Sequence, residues 1–190
     1  HVCSTPERAY MDRYRQIGYD NIILGNWHAN HEHYPVVPFN EKAIEASFIG
    51  APNASRQSFF NLAEVDIEYF YGLTQQELFN TFSNSKMSVN LSVNDNDPDK
   101  KTQMKQRIFE IPAGAGLLVT EYHEGIEEYY DINKEIITFS TIQEFKEKMN
   151  FFKSRPKIVE KIAMAGHKRF LKQNTSEKRL AGVIEEIMKK

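Results

Sequence analysis

The chain has 190 residues, 41% of them hydrophobic and 12% aromatic, which fits a folded protein of one domain, or one domain with a piece of another, around a sizeable core. A formal net charge of −2 supplies no global field of the kind that draws nucleic acid or an anionic membrane, so neither partner is expected. The longest apolar runs, such as "GAGLLV", are far too short to span a bilayer, and no transmembrane segment is expected.

The single cysteine, Cys3, rules out an internal disulfide and suits a reducing cytoplasm, the expected location. It starts a strand and is expected to be a small buried residue. The first ten residues, "HVCSTPERAY", lack the basic and apolar regions of a signal peptide, and the abrupt opening on "VCS" reads as a piece of a longer protein.

In chain order, short apolar strands alternate with amphipathic helices. After "VC", Thr5 can cap a helix that Pro6 opens and Gly18 ends. "NIILG" is a buried strand, and "WHANHEHYPVVPFN", polar, aromatic and twice broken by proline, is a linker. Strands are expected over 46–50, 66–71, 87–92, 116–120 and 135–139. Between them fall helices over "APNASRQSFFNLA", after its opening turn, and over "TQQELFNTFSNS", with Thr74 and Glu77 as a capping box. A polar loop "DNDPDKK" leads to a helix over "TQMKQRIFE", another helix is expected over "EGIEEYYD", and residues 141–190 are nearly all helical. Strands separated by helices of this length imply crossover units: an α/β fold with a Rossmann-like parallel sheet and helices on both faces. Ligands of such sheets bind outside the carboxyl ends of the strands.

The residues before "AGAGLLVT" carry a polar stripe. Gln103, Arg107 and Glu110 recur at helical spacing beside an apolar stripe of Met104, Ile108 and Ile111. Pro112 cannot donate to the carbonyl of Ile108, which stops or kinks the helix and puts Glu110 in its last turn, where the dipole disfavours a carboxylate. Such a placement is locally costly and often marks function. From spacing alone, an exposed Arg–Glu pair worth about 0.2–0.5 kcal/mol is the favoured reading. "FIGAPNASRQSFF" is a strand, a turn of small residues and a helix with Arg56 in its first turn, a ready anion site but neither a P-loop nor a dinucleotide glycine fingerprint. His28, His31 and His33 lie close together without any H-E-x-x-H pattern, and a polar linker explains them better than a metal.

Four stretches, "SFIGAPNASRQSFFNLA", "FSNSKMSVNLS", the run from "RIFEIPAGAGLLVTEY" to "EKMNFF", and "IAMAGHKRFLKQNTSEKRLAGVIEEI", come in an order that resembles the C-terminal half of CgeB-like and related group 1 glycosyltransferases. The resemblance covers residues 42 to 190 and carries R-x-F-E at Arg107–Glu110, a glycine turn, and IA-x-x-G-x-x-R ending at Arg169. It implies a GT-B architecture of two Rossmann-like domains with the active site between them. Residues 1–39 would then be the tail of the N-terminal domain plus the linker, and residues 40–190 the nucleotide-sugar-binding domain. The rest of the N-terminal domain would be missing, leaving the chain alone inactive.

The resemblance also assigns roles. Arg56 matches the basic residue that faces the donor diphosphate, and it would stabilise the leaving group with Arg107 second. Glu110 matches a Glu that accepts hydrogen bonds from the donor ribose, Tyr71, Gly72 and Leu73 match the loop whose backbone contacts the base, and Gln103 belongs to the same polar stripe as Glu110. The implied partner is a nucleoside-diphosphate sugar, with no cofactor and no metal. Thr102 stands where many retaining relatives carry an earlier Glu, and Asn174 replaces the His of a His-Thr pair ahead of Arg179, so the stereochemical course and the sugar stay open. A non-catalytic nucleotide-binding or interaction module of the same fold is the alternative.

Overall fold

The computed structural model describes residues 2–6, 8–25, 27–93 and 102–189. Five strands, β3 (Ile44–Ile49), β4 (Glu68–Phe70), β5 (Ser85–Asn90), β6 (Leu117–Glu121) and β7 (Ile137–Phe139), form one sheet in the order β4-β3-β5-β6-β7. Every pair is parallel, with Ala46 beside Met87, Met87 beside Leu117 and Val119 beside Ile137. All five lie where the alternation of apolar runs predicts them. The polar loop expected over 95–101 and the strand end at Asn94 fall outside the described residues.

Strand periodicity builds two cores, one on each face. Met87, Val89, Leu117 and Val119 point to one side, where α2 (Ala54–Ala63), α5 (Ile142–Lys153) and α6 (Pro156–Arg169) cover them. Phe59, Phe139 and Phe145 meet there with ring centroids 4.8–5.8 Å apart. Ile49 and Leu118 point to the other side, under α3 (Gln75–Asn84) and α4 (Arg107–Ala113). The buried hydroxyls of Ser47 and Ser88 bond each other across β3 and β5 at 2.8 Å, which settles two polar groups between the layers. The Thr74–Glu77 capping box opens α3 as its sequence predicts.

Three local expectations are corrected. The helix expected over 102–110 begins only at Arg107. Thr102 instead forms an antiparallel bridge with Val93, and the Gln103 amide donates to the Ser92 carbonyl at 2.9 Å, so this backbone is committed to β5's extension before the helix starts. Met104 and Gln103 are therefore not on the helix, and Glu110 sits in its first turn, where the dipole favours a carboxylate rather than opposing it. "EGIEEYYD" forms only a 3₁₀ turn at Ile126–Glu128, entered through Gly125 at φ 91°, a left-handed conformation that no helix contains. Cys3 is exposed; the buried side chains of its two-stranded sheet are Thr5, Ile22 and Ile23.

That small sheet is β1 (Cys3–Thr5) and β2 (Ile22–Leu24), parallel and linked through α1 (Arg8–Gln16), separate from the main sheet. The following crossing is tied to the end of the chain. Ala29 bridges Thr175, the Ser176 amide donates to the Ala29 carbonyl at 2.9 Å, and His28 Nδ1 lies 2.8 Å from Ser176 Oγ. A π-helical turn over Phe170–Asn174 bends the chain from α6 into α7 (Ser176–Met188), which returns to β2's side. His33 packs its ring on Phe79 at 5.1 Å.

At the amino edge of the sheet the buried Lys42 ties two helices together: its Nζ donates to the carbonyls of Ser83, at the end of α3, and Gly114, just after α4. Burial pushes its pKa down to about 8. His167 donates from Nδ1 to the Pro112 carbonyl at 2.7 Å, and burial holds its pKa below the usual histidine range against the pull of that carbonyl. Gly114 must be glycine here, since a Cβ would stand 2.8 Å from the Phe82 carbonyl carbon.

Candidate functional site

A cleft of about 320 Å³ opens at the carboxyl edge of the sheet, beyond β3 and β5. Its walls come from four places distant in sequence: Trp27 in the crossing between β2 and β3, the turn from β3 into α2, the end of β5, and the segment Gln103–Arg107 that leads into α4. Arg56, Lys105 and Arg107 line it, and among the described residues no carboxylate does. Three cations around one concavity, beside the N-terminus of α2, suit a ligand of concentrated negative charge.

Each cation is held. Asn53 caps α2 by accepting from the Arg56 amide at 2.8 Å. The Arg56 guanidinium folds back over the turn, donating to the Ala51 carbonyl at 2.6 Å with its centre 5.7 Å from the Phe48 ring. Gly50 makes room, for a Cβ there would lie 3.0 Å from the Phe48 ring and 3.3 Å from the guanidinium. Lys105 Nζ donates to the Val93 carbonyl at 3.2 Å. Glu121 fixes that carbonyl's neighbourhood by accepting from the amides of Ser92 and Val93 at 2.8 and 2.9 Å. Asn90, buried at the cleft floor, donates to Thr120 Oγ1 at 2.9 Å.

Arg107 reaches the cleft from above Glu110. Its Nη1 meets Glu110 Oε2 at 2.5 Å, and the guanidinium lies 5.8 Å from the Phe82 ring. The Arg107 side chain is 29% exposed and that of Glu110 only 5%, so the pair is no surface ornament. Burial raises the Glu110 pKa, opposed by Arg107, and the buried Tyr34 hydroxyl is pushed up first by its own burial and then by Glu110.

Of the residues singled out from sequence, the cleft gathers Arg56, Gln103 and Arg107. Glu110 stands behind Arg107 rather than in the wall. Tyr71, Gly72 and Leu73 follow β4 at the same edge but do not line the cleft; Tyr71 is exposed, Gly72 adopts φ 72° and Leu73 packs on the α3–α4 core. Sequence reading missed Lys105, Asn90 and Trp27. Lys105 sat unremarked two residues before Arg107, and Trp27, in the crossing read as a linker, donates from Nε1 to the Met104 carbonyl at 3.2 Å. Only the tertiary fold brings the indole to the cleft; the one signal was a lone tryptophan in a polar stretch.

A glycosyl transferase-like family profile matches residues 42–185, most of the chain. The chain belongs to that glycosyl transferase-like family. Among solved structures, Anabaena Alr3699/HepE in complex with UDP and glucose superposes with a TM-score of 0.77 at 8% identity, over 100% of this chain and 63% of that one. Sucrose-phosphate synthase from Thermosynechococcus elongatus gives 0.69 at 10% identity, covering 99% and 57%. A mutant of S. aureus TarM in complex with fondaparinux, α-GlcNAc-glycerol and UDP gives 0.71 at 12%, covering 97% and 43%. These are GT-B glycosyltransferases, and at such identities the likeness establishes the fold: this family member has the parallel α/β architecture of that class. The chain spans less than two thirds of the length of each of them. No curated protein sequence matches it. No helix among the described residues is long and apolar enough to cross a membrane.

Proposed function

We propose that this chain is the donor-binding part of a CgeB-like glycosyltransferase that transfers a sugar from a nucleoside diphosphate to an acceptor, in the cytoplasm. The observation that carries the reading is the cluster of Arg56, Lys105 and Arg107 around one cleft at the carboxyl edge of a sheet of this class. In the reaction, the bond between the sugar's anomeric carbon and the β-phosphate oxygen breaks and the electron pair stays on the phosphate. The acceptor oxygen bonds to that carbon, and its proton passes to solvent. Arg56, Lys105 and the N-terminal amides of α2 neutralise the growing phosphate charge, with Arg107 beside them. Residues 1–39 belong in this reading to an N-terminal domain that supplies the acceptor site, so the chain alone is expected to bind donor without turning it over.

Calorimetry with UDP and uridine tests the assignment. Arg56→Ala should weaken UDP binding about ten- to a hundredfold and leave uridine nearly unchanged, as loss of a charge-assisted phosphate contact requires. Absence of any UDP binding to the wild type, repeated with the other nucleoside diphosphates, would sink the donor-site reading.

Glu110 has two candidate roles, and its burial behind Arg107 is what favours the second. As ribose acceptor, its loss would weaken uridine and UDP alike. As the residue that positions Arg107, its loss would weaken UDP while sparing uridine. Glu110→Ala measured against both ligands separates them.

A further inference from the structure

Trp27 is the protein's single tryptophan and lies outside the stretch that matches the family, residues 42–185. It belongs to the crossing between β2 and β3, yet its indole is part of the cleft wall. The Nε1–H donates to the Met104 carbonyl at 3.2 Å, so the ring's one polar group is satisfied and its orientation fixed. Even so, the residue stays 44% exposed. What it offers the cleft is an apolar aromatic face, next to the cations of Arg56, Lys105 and Arg107.

An anion alone would use only the cationic part of this surface. An aromatic face beside it fits a ligand whose phosphates continue into a ring with apolar C–H surfaces. The base end of a nucleotide is assigned by resemblance to the loop Tyr71–Leu73, which does not line the cleft. Of the two rings that remain, the ribose lies on the base side of the diphosphate and the sugar on its far side, away from that loop. A pyranose presents a face of C–H groups and a rim of hydroxyls, and that face is complementary to an indole whose N–H is already engaged.

We propose that Trp27 is a donor-contacting residue that stacks on the sugar ring of the bound nucleoside-diphosphate sugar and sets the preference for the conjugate over the free diphosphate. This rests on the donor-site reading of the cleft. It gives the crossing segment a part in sugar recognition, supplied from outside the region that the family match covers.

UDP and UDP-glucose are the probes, titrated by calorimetry into the wild type, Trp27→Ala and Trp27→Phe, with thermal denaturation to verify that each variant is folded. Trp27→Ala should lower affinity for UDP-glucose about tenfold and change that for UDP by less than about twofold. Trp27→Phe keeps an aromatic face without the Nε1–H and should retain most of the UDP-glucose affinity. In the wild type, tryptophan emission should respond more to UDP-glucose than to UDP and saturate at the calorimetric Kd. Equal losses for the two ligands in Trp27→Ala, or a Trp27→Phe variant as impaired as Trp27→Ala, would overturn the proposal and make Trp27 a brace for the segment Gln103–Gln106. A wild type that binds both probes and a Trp27→Ala variant that binds them unchanged would defeat the stacking alone. A wild type that binds neither would defeat the donor-site reading and the stacking with it.

Discussion

The two ends of α4 handle positive charge in opposite ways. At its C-terminal end, Lys42 and His167 donate to the carbonyls of Gly114 and Pro112, and burial depresses both pKa values. A neutral amine or imidazole still has the N–H that those carbonyls need, so hydrogen bonding there does not require charge. At its N-terminal end, the Arg107 guanidinium leans on a buried carboxylate and turns its remaining surface to the cleft. One end closes off its polar groups within the protein. The other holds a charge in place at the edge of an open site, and that difference separates scaffold from candidate chemistry on a helix only seven residues long.

The largest effect is expected at the cleft end. Arg107→Ala leaves Glu110 buried without its partner and should cost about 3 kcal/mol of unfolding free energy at neutral pH, read by denaturant titration. The sign of its pH dependence follows from burial, which already raises the Glu110 pKa and will raise it further once Arg107 is gone. A carboxyl whose folded pKa exceeds its unfolded one contributes stability below the unfolded value and loses it as pH rises through the folded value. The deficit of the variant should therefore shrink as pH is lowered toward the carboxylate range. A deficit independent of pH would mean that Glu110 does not feel the loss of its partner.

At the opposite end, Gly114→Ala should cost about 1–3 kcal/mol, because the new methyl meets the backbone of Phe82 and Ser83 rather than a yielding side chain. Its affinity for UDP should match the wild type. A change in binding as large as the change in stability would erase the division between the two ends. The smallest effect concerns Lys42. With a folded pKa of about 8 against an ordinary 10.5, the unfolded chain holds the extra proton between those values, and stability should rise with pH across that window. Lys42→Met should lack the rise. His167 works in the same direction lower down: its depressed pKa means stability lost as pH falls through the ordinary histidine range, which an NMR titration of its ring would place below 6.5.

The sheet was legible because its strands are continuous apolar runs that carry their own period, and the Thr74 capping box is a purely local signal. The start of α4 was not. Met104 stands at helical spacing before Ile108 and Ile111, and it is pairing with Ser92 and Val93, residues outside the local pattern, that keeps Thr102 and Gln103 off the helix. The same displacement moved Glu110 from the last turn to the first and reversed the sense of its dipole. Arg56 could be found because cap, turn and cation are neighbours in sequence. Trp27 could not, since its partner Met104 lies 77 residues away and no local pattern connects them.

The bridge between Ala29 and Thr175 has a mechanical consequence. The chain passes between the small sheet and the large one twice, outward through the crossing that holds Trp27 and back into α7, and the two passages are fastened side by side. Trp27 stands two residues from the fastening and donates to the Met104 carbonyl, so the cleft's aromatic wall is anchored both to the start of α7 and to the segment before α4.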